Sequence, residues 1–258
     1  MIAPSVLLLH GQPGGARDWA RVRTRLGATA TTVAIDRPGW DGRSQPADLE
    51  GNARAAVAAL DDHAIERATI AGHSLGAAVA VSLALIHPER VASLVLIAPA
   101  ANVASLYEWD RLLASPGIGL IAGATTLSTA GLALSVPPLR RRLAGMMALD
   151  ERYLGAAGRA LLTPSTWRAF ASDQRALVTG LPELESRLHE IAAPTTIVAG
   201  SADRVVPIES ARQLATQIPG AELTVVQRAS HLLPQQHATQ VAAAIAAATN
   251  GGSYSESG

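Results

Sequence analysis

An α/β fold, with a mostly parallel sheet and helices on both faces, is predicted by three observations. Short apolar runs recur along the chain, among them VLLLH (6–10), VASLVLIAPA (91–100) and TTIVAG (195–200). Segments with helical spacing separate these runs. Within the runs polar residues do not alternate with apolar ones, which is the pattern of strands buried on both faces.

Taken in order, VLLLH (6–10) ends in a Gly/Pro cluster and reads as a buried strand. In ARDWARVRTRL, Trp19, Val22 and Leu26 share one helical face. TTVAID (31–36) is a second strand, stopped by RPGWDG, and NARAAVAALDDH is helical. ATIAG (68–72) is a strand, and LGAAVAVSLALIHP is a helix closed by Pro88. VASLVLIAPA is the fourth strand. Near the end come strand TTIVAG, helix IESARQLATQI, strand ELTVV and helix ATQVAAAIAAAT. The alternation stops between about Ser105 and Val178, where LYEWDRLLAS, GIGLIAGATTLSTAGLALSV, LRRRLAGMMALDERYL and STWRAFASDQRALV all read as helices. The expected organisation is a core of 1–104 and 179–249, a helical cap at 105–178, and a disordered Gly/Ser-rich tail at 250–258.

Composition narrows the class. The chain has 258 residues, is 48% hydrophobic and balances 21 basic against 21 acidic residues, so it holds a large core and offers no net charge to nucleic acid. All the basic residues are Arg, which with the abundant Ala points to a GC-rich, bacterial type of genome. With no Cys, there is no disulfide framework and no thiolate nucleophile. The N-terminus lacks the basic region of a signal peptide, so a cytoplasmic location is expected. Leu112 to Leu139 carries no charge and is followed by Arg140, Arg141 and Arg142, a pattern that fits a membrane span. Pro116, the glycines and the Ser/Thr run favour a broken, buried helix instead, and the sequence argues against a membrane partner.

The chemistry concentrates in GHSLG (72–76), a G-x-S-x-G turn between a strand and a helix. Such a turn pushes the Ser74 hydroxyl out above the sheet. The flanking glycines leave room for it, and the Leu75 N–H faces a developing oxyanion. A serine needs a base, and the base an orienting acid. Asp203 follows the strand ending at Gly200, and His231 follows the last strand, in the order Ser, Asp, His. In HGQPGG (10–15), the Gln12 N–H is the natural second oxyanion donor. His73 reads as a packing and hydrogen-bonding residue under the turn, His87 beside Pro88 at a helix end reads as structural, His63, His189 and His237 lie without partners, and none has metal-site spacing.

Together HGQPGG, DRPGWDGRS, GHSLG, GSADRVVP and SHLLP resemble the α/β-hydrolase superfamily, in its branch with a helical cap, over nearly the whole chain. The resemblance implies a Ser74–His231–Asp203 triad, an oxyanion hole from Gln12 and Leu75, a cap that shapes the substrate pocket, and no cofactor or metal. The chain departs from the pattern in three places. The two antiparallel strands that usually precede the HG strand have no counterpart. DRPGWDGRS is one residue longer than usual, and Ser230 stands where Gly usually precedes the histidine. The strand before DRPGWDGRS then becomes a sheet edge that invites pairing with a second copy of the chain or coverage by the tail.

An apolar cap predicts a pocket that draws on Trp40, Tyr107, Trp109, Met146, Met147, Trp167 and Phe170. The expected activity is hydrolysis of small to medium apolar carboxylic esters through an acyl-enzyme on Ser74. The alternatives are a cofactor-free haloperoxidase or perhydrolase, a carbon–carbon bond hydrolase on the same triad, or a ligand-binding protein on a hydrolase scaffold.

Overall fold

The apolar runs form six strands: β1 (Ser5–Leu9), β2 (Thr31–Ile35), β3 (Ala68–His73), β4 (Val91–Ile97), β5 (Thr195–Gly200) and β6 (Glu222–Val226). The computed structural model describes residues 3–251. The strands make one sheet in the order β2-β1-β3-β4-β5-β6, every pair parallel. Successive side chains go to opposite faces, and both faces are covered. Leu7, Leu9, Leu94 and Leu96 join the core under one helical layer, whereas Val6, Leu8, Val95 and Ile97 join the core under the other. Burial on both faces is why the runs carry no alternation.

The first layer contains α2 (Leu49–Asp62), α3 (Leu75–Ile86) and α9 (Ile208–Gln217). The second contains α1 (Ala20–Leu26) and α11 (Ala238–Thr249), with the short α10 (Leu233–Gln236) leading into α11. Trp19, Val22 and Leu26, the face predicted for the first helical segment, are buried there. Among the described residues β2 pairs with β1 alone and so is an edge. Asn250 and Gly251 are described, and the rest of the expected disordered tail lies outside the described residues.

Between β4 and β5 the chain is helical: α4 (Glu108–Ala114), α5 (Ile118–Ser135), α6 (Pro137–Met147), α7 (Glu151–Leu161) and α8 (Pro164–Ser186). Three expectations need correction. The segment 139–154 is not one helix, because Ala148 adopts φ 51° and ends α6, after which Asp150 caps α7 by accepting from the Arg152 and Tyr153 amides at 2.7 and 3.1 Å. The boundary expected at 178 falls inside α8, which continues because Leu177, Leu181 and Leu184 are buried in the core cluster with α3. The uncharged stretch is broken near Pro116 but is not buried. Ile118, Ile121 and Leu132 are 59, 70 and 61% exposed, and α5 buries mainly Gly119, Gly123, Leu127 and Gly131. By length and composition alone, α5 is long and apolar enough to cross a membrane.

The strand order reverses direction at β1: the chain passes from β1 out to β2 and returns to β3 on the other side. Ligand sites of open parallel sheets collect outside the strand ends at such a point. Leu9 at the end of β1 is in register with Gly72 near the end of β3, which brings HGQPGG beside GHSLG.

Candidate active site

Ser74 sits between β3 and α3 with φ 55° and ψ −122°, a conformation that costs a non-glycine residue about 1–3 kcal/mol. Backbone hydrogen bonds hold it there. Its N–H donates to Ile97 O at 2.9 Å, and its carbonyl accepts from the Ala77 and Ala100 amides at 2.9 and 3.2 Å. The glycines are explained by contact. A Cβ on Gly72 would meet the Gly76 carbonyl and lie 2.7 Å from Ala77 Cα, and one on Gly76 would meet the Leu9 carbonyl and lie 2.7 Å from His10 O. All of these are rigid backbone. Gly11 is equally constrained, since its Cβ would stand 2.9 Å from Ser74 Cβ. The Gln12 loop therefore reaches Ser74 through a gap that only glycine leaves open.

Asp203 follows β5 and His231 follows β6. The Asp203 carboxylate accepts from the Val205 and Val206 amides at 2.8 and 3.0 Å and from His231 Nδ1 at 2.8 Å. Burial pushes this carboxyl up, but the hydrogen bond and charge of His231 and the two amides outweigh burial and hold it below its ordinary value. A carboxylate only accepts, so Nδ1 carries the proton and Nε2 is left as the basic nitrogen. The His231 loop is fastened from below. His73 Nε2–H donates to His231 O at 2.9 Å, and the two rings lie 4.9 Å apart. Burial first, then the neighbouring His231, lower the His73 pKa to about 3, so His73 is a neutral strut beneath the serine. Ser230 is tied to α10 by its hydroxyl, which donates to Gln236 Oε1 at 2.6 Å.

Two backbone amides next to Ser74, in chain or across the β1–β3 strand ends, are without a protein acceptor among the described residues. Leu75 N–H is the first of α3, and Gln12 N–H belongs to the loop after β1. Two free donors beside a raised serine form an arrangement that can accept a tetrahedral oxyanion. Ser74 and His231 are 5 and 8% exposed, so the chemistry would proceed with little water present.

Of the residues expected to line a pocket, Trp40 borders a cavity of about 260 Å³ with Pro13, Gly15, Asp36, Tyr153 and Thr166, on the outer side of the Gln12 loop. The others do not converge there. Trp109 and Met146 are 58 and 73% exposed, and Tyr107 packs against Trp109 with ring centroids 5.0 Å apart. Trp167 donates to Leu161 O at 2.8 Å, and Phe170 packs on Gly123 of α5. Met147 belongs to a small cluster with Ala144, Leu149, Leu154 and Leu232.

The sequence reading missed a buried polar set behind the Gln12 loop, formed by His10, Arg37, Asn52 and Asp173. Its one visible signal was an arginine directly after an apolar strand, in DRPG. It also missed Tyr153, whose hydroxyl donates to Asp18 Oδ1 at 3.0 Å. Burial raises the Asp18 carboxyl above its ordinary value.

A family model described as "Alpha/beta hydrolase family" matches residues 6–244. The 2-hydroxy-6-oxononadienedioate/2-hydroxy-6-oxononatrienedioate hydrolase of Cupriavidus pinatubonensis is 30% identical over 254 residues, spanning 92% of this chain and 83% of the relative. Hydrolase 2 of the same description from Pseudomonas putida is 32% identical over 255 residues, spanning 92% and 84%. Among solved structures, a meta-cleavage product hydrolase from Pseudomonas fluorescens superimposes with a TM-score of 0.72 at 20% identity, covering 96% of this chain and 91% of that one. This last likeness concerns the fold.

Proposed function

The chain belongs to the alpha/beta hydrolase family, and from that premise we propose that it hydrolyses the carbon–carbon bond next to the ketone of a 2-hydroxy-6-oxo-dienoate, with Ser74, His231 and Asp203 as its triad. The observation that carries this reading is likeness over nine-tenths of the chain to hydrolases named for such substrates. It favours the carbon–carbon alternative over the ester cleavage that the apolar cap led us to expect.

The chemistry of such a substrate sets what the site must do. Ketonisation of the 2-hydroxy-dienoate moves a proton to C5 and leaves that carbon between an enone and the 6-ketone. Ser74 Oγ adds to C6 as its proton passes to His231 Nε2, and the new oxyanion rests on the Gln12 and Leu75 amides. Collapse breaks the C5–C6 bond. The electron pair flows into the conjugated 2-oxo-enoate, which takes the proton from His231 and departs as a 2-hydroxy-dienoate. Water, deprotonated by His231, then releases the acyl group from Ser74 as a carboxylate.

Ester hydrolysis is the second reading, and one observation favours it. The one buried arginine among the described residues, Arg37, is paired with Asp173, so its charge is not free for a substrate carboxylate. The two readings separate in one assay. Purified protein is given 2-hydroxy-6-oxo-6-phenylhexa-2,4-dienoate, followed by loss of its visible absorbance, and in parallel p-nitrophenyl acetate and butyrate. The expected result is a kcat/KM for the dienoate at least about 100-fold above that for either ester, abolished in Ser74→Ala. Rapid ester turnover with the dienoate untouched would overturn it.

A further inference from the structure

The Gly11–Gln12 peptide carries the proposed oxyanion donor on one side and a carbonyl on the other. That carbonyl is held by two donors: His10 Nδ1–H at 2.7 Å and Arg37 Nη2 at 3.2 Å. The tautomer of His10 follows from its second bond, because its Nε2 accepts from the Arg37 backbone amide at 3.0 Å, so the proton sits on Nδ1. Burial, followed by the Arg37 charge, keeps this imidazole neutral. Arg37 also donates from Nε to His10 O at 2.9 Å, the next carbonyl back along the loop. Its remaining donors are taken by Asn52 Oδ1 at 3.1 Å and by the two Asp173 oxygens at 3.2 and 2.7 Å. Asp173 lies on α8 and is itself held by Trp40 Nε1 at 2.8 Å. Arg37 is fully buried and Asp173 is 1% exposed on its side chain.

We infer that Arg37 is a positioning residue for the oxyanion hole, orienting and polarising the Gly11–Gln12 peptide from behind, and that Asp173 makes this orientation depend on the placement of the helical insertion. In a trans peptide the N–H points away from the carbonyl, so fixing Gly11 O fixes the direction of Gln12 N–H. Donors on the carbonyl also make the amide on the far side a stronger donor. The guanidinium suits this work because its planar fork meets two successive carbonyls and a carboxylate together, which a lysine ammonium does not. The inference rests on the serine mechanism proposed above, but not on whether the substrate is a dienoate or an ester.

The test uses Arg37→Lys together with the double variant Arg37→Met, Asp173→Leu, which removes the buried pair without leaving an unpaired charge. Each is checked by circular dichroism and then compared with wild type for kcat and KM. Each is also titrated with a trifluoromethyl ketone carrying ¹³C at the carbonyl, whose hemiketal on Ser74 reports the oxyanion pKa by NMR. Removal of a whole oxyanion donor costs about 100- to 1,000-fold in kcat, so a loosened donor is expected to cost roughly 10- to 100-fold. KM should stay within about twofold, and the hemiketal pKa should rise. A folded double variant with wild-type kcat and hemiketal pKa overturns the role given to Arg37 and leaves the serine mechanism standing. If wild-type protein forms no hemiketal, the serine mechanism fails, and this inference fails with it.

Discussion

Below neutral pH the protein is expected to lose stability through its buried histidines, and His73 allows that loss to be measured at one residue. His73 is buried beneath Ser74, and its pKa is lowered from 6.5 to about 3. Between those values the unfolded chain binds a proton that the folded chain excludes. Stability from this residue is therefore complete above pH 6.5 and falls as the pH drops toward about 3. The slope is about 1.4 kcal/mol per pH unit, and the full interval amounts to about 5 kcal/mol, comparable to the whole stability of a small domain. Gln at this position keeps an amide donor for His231 O but does not titrate. Urea unfolding of wild type and His73→Gln, followed by tryptophan fluorescence at several pH values from 7 to 4.5, isolates the contribution of this residue. The raised Asp18 and Asp110 carboxyls flatten both profiles and cancel in the difference, whereas His10 steepens both and enters the difference only through its charge repulsion with His73. The stability difference should shrink by about 1.4 kcal/mol for each pH unit below about 6. Parallel profiles would refute a neutral, buried His73.

Two further predictions concern the backbone. Gly76→Ala places a methyl against the Leu9 and His10 carbonyls, so it should destabilise by about 1–3 kcal/mol or more and slow labelling of Ser74 by a fluorophosphonate; an unchanged urea midpoint would contradict the contact argument. Asp150→Ala removes the cap of α7 and should lower Tm by about 2–4 °C, whereas an unchanged Tm would show that the helix does not rely on it.

What the sequence made legible is what local rules decide. Strand β5 coincides with TTIVAG and β6 with ELTVV, because an apolar run closed by glycine or turn residues has few other solutions. The elbow was legible for the same reason, since Gly72 and Gly76 answer to contacts within a few residues of Ser74 or to the neighbouring strand end. The pairing of Asp203 with His231 followed from chain order and strand ends. The direction of the insertion helices was not legible. Met146 and Ile121 are as apolar as buried residues, yet they face outward: the close packing of α5 runs through Gly123 against Phe170 and Gly131 against Gly158, and α6 buries Ala144. Small residues carry little hydrophobic signal, so a pattern that counts large side chains selects the wrong face. The turn at Ala148 gave no warning either, since nothing in its residue type requires φ 51°.

The buried pair of Arg37 and Asp173 was beyond reach for a different reason, and that reason bears on what it does. The partners stand 136 residues apart, one after β2 and the other on α8. A buried ion pair is a poor device for stability, because desolvation offsets most of the attraction, whereas loss of one partner costs about 3–5 kcal/mol. Apolar residues could join α8 to the core at less expense, as Leu177 and Leu181 already do. What apolar contact cannot supply is direction: five directional bonds from one guanidinium fix the loop carbonyls, Asn52 and the carboxylate in a single arrangement. Tyr153 and Asp18 make a second polar crossing from the insertion, to the helical turn that follows the same loop. Two polar crossings that converge on the loop carrying Gln12 are better explained by a need to hold that loop in register with the insertion than by a need to keep the chain folded.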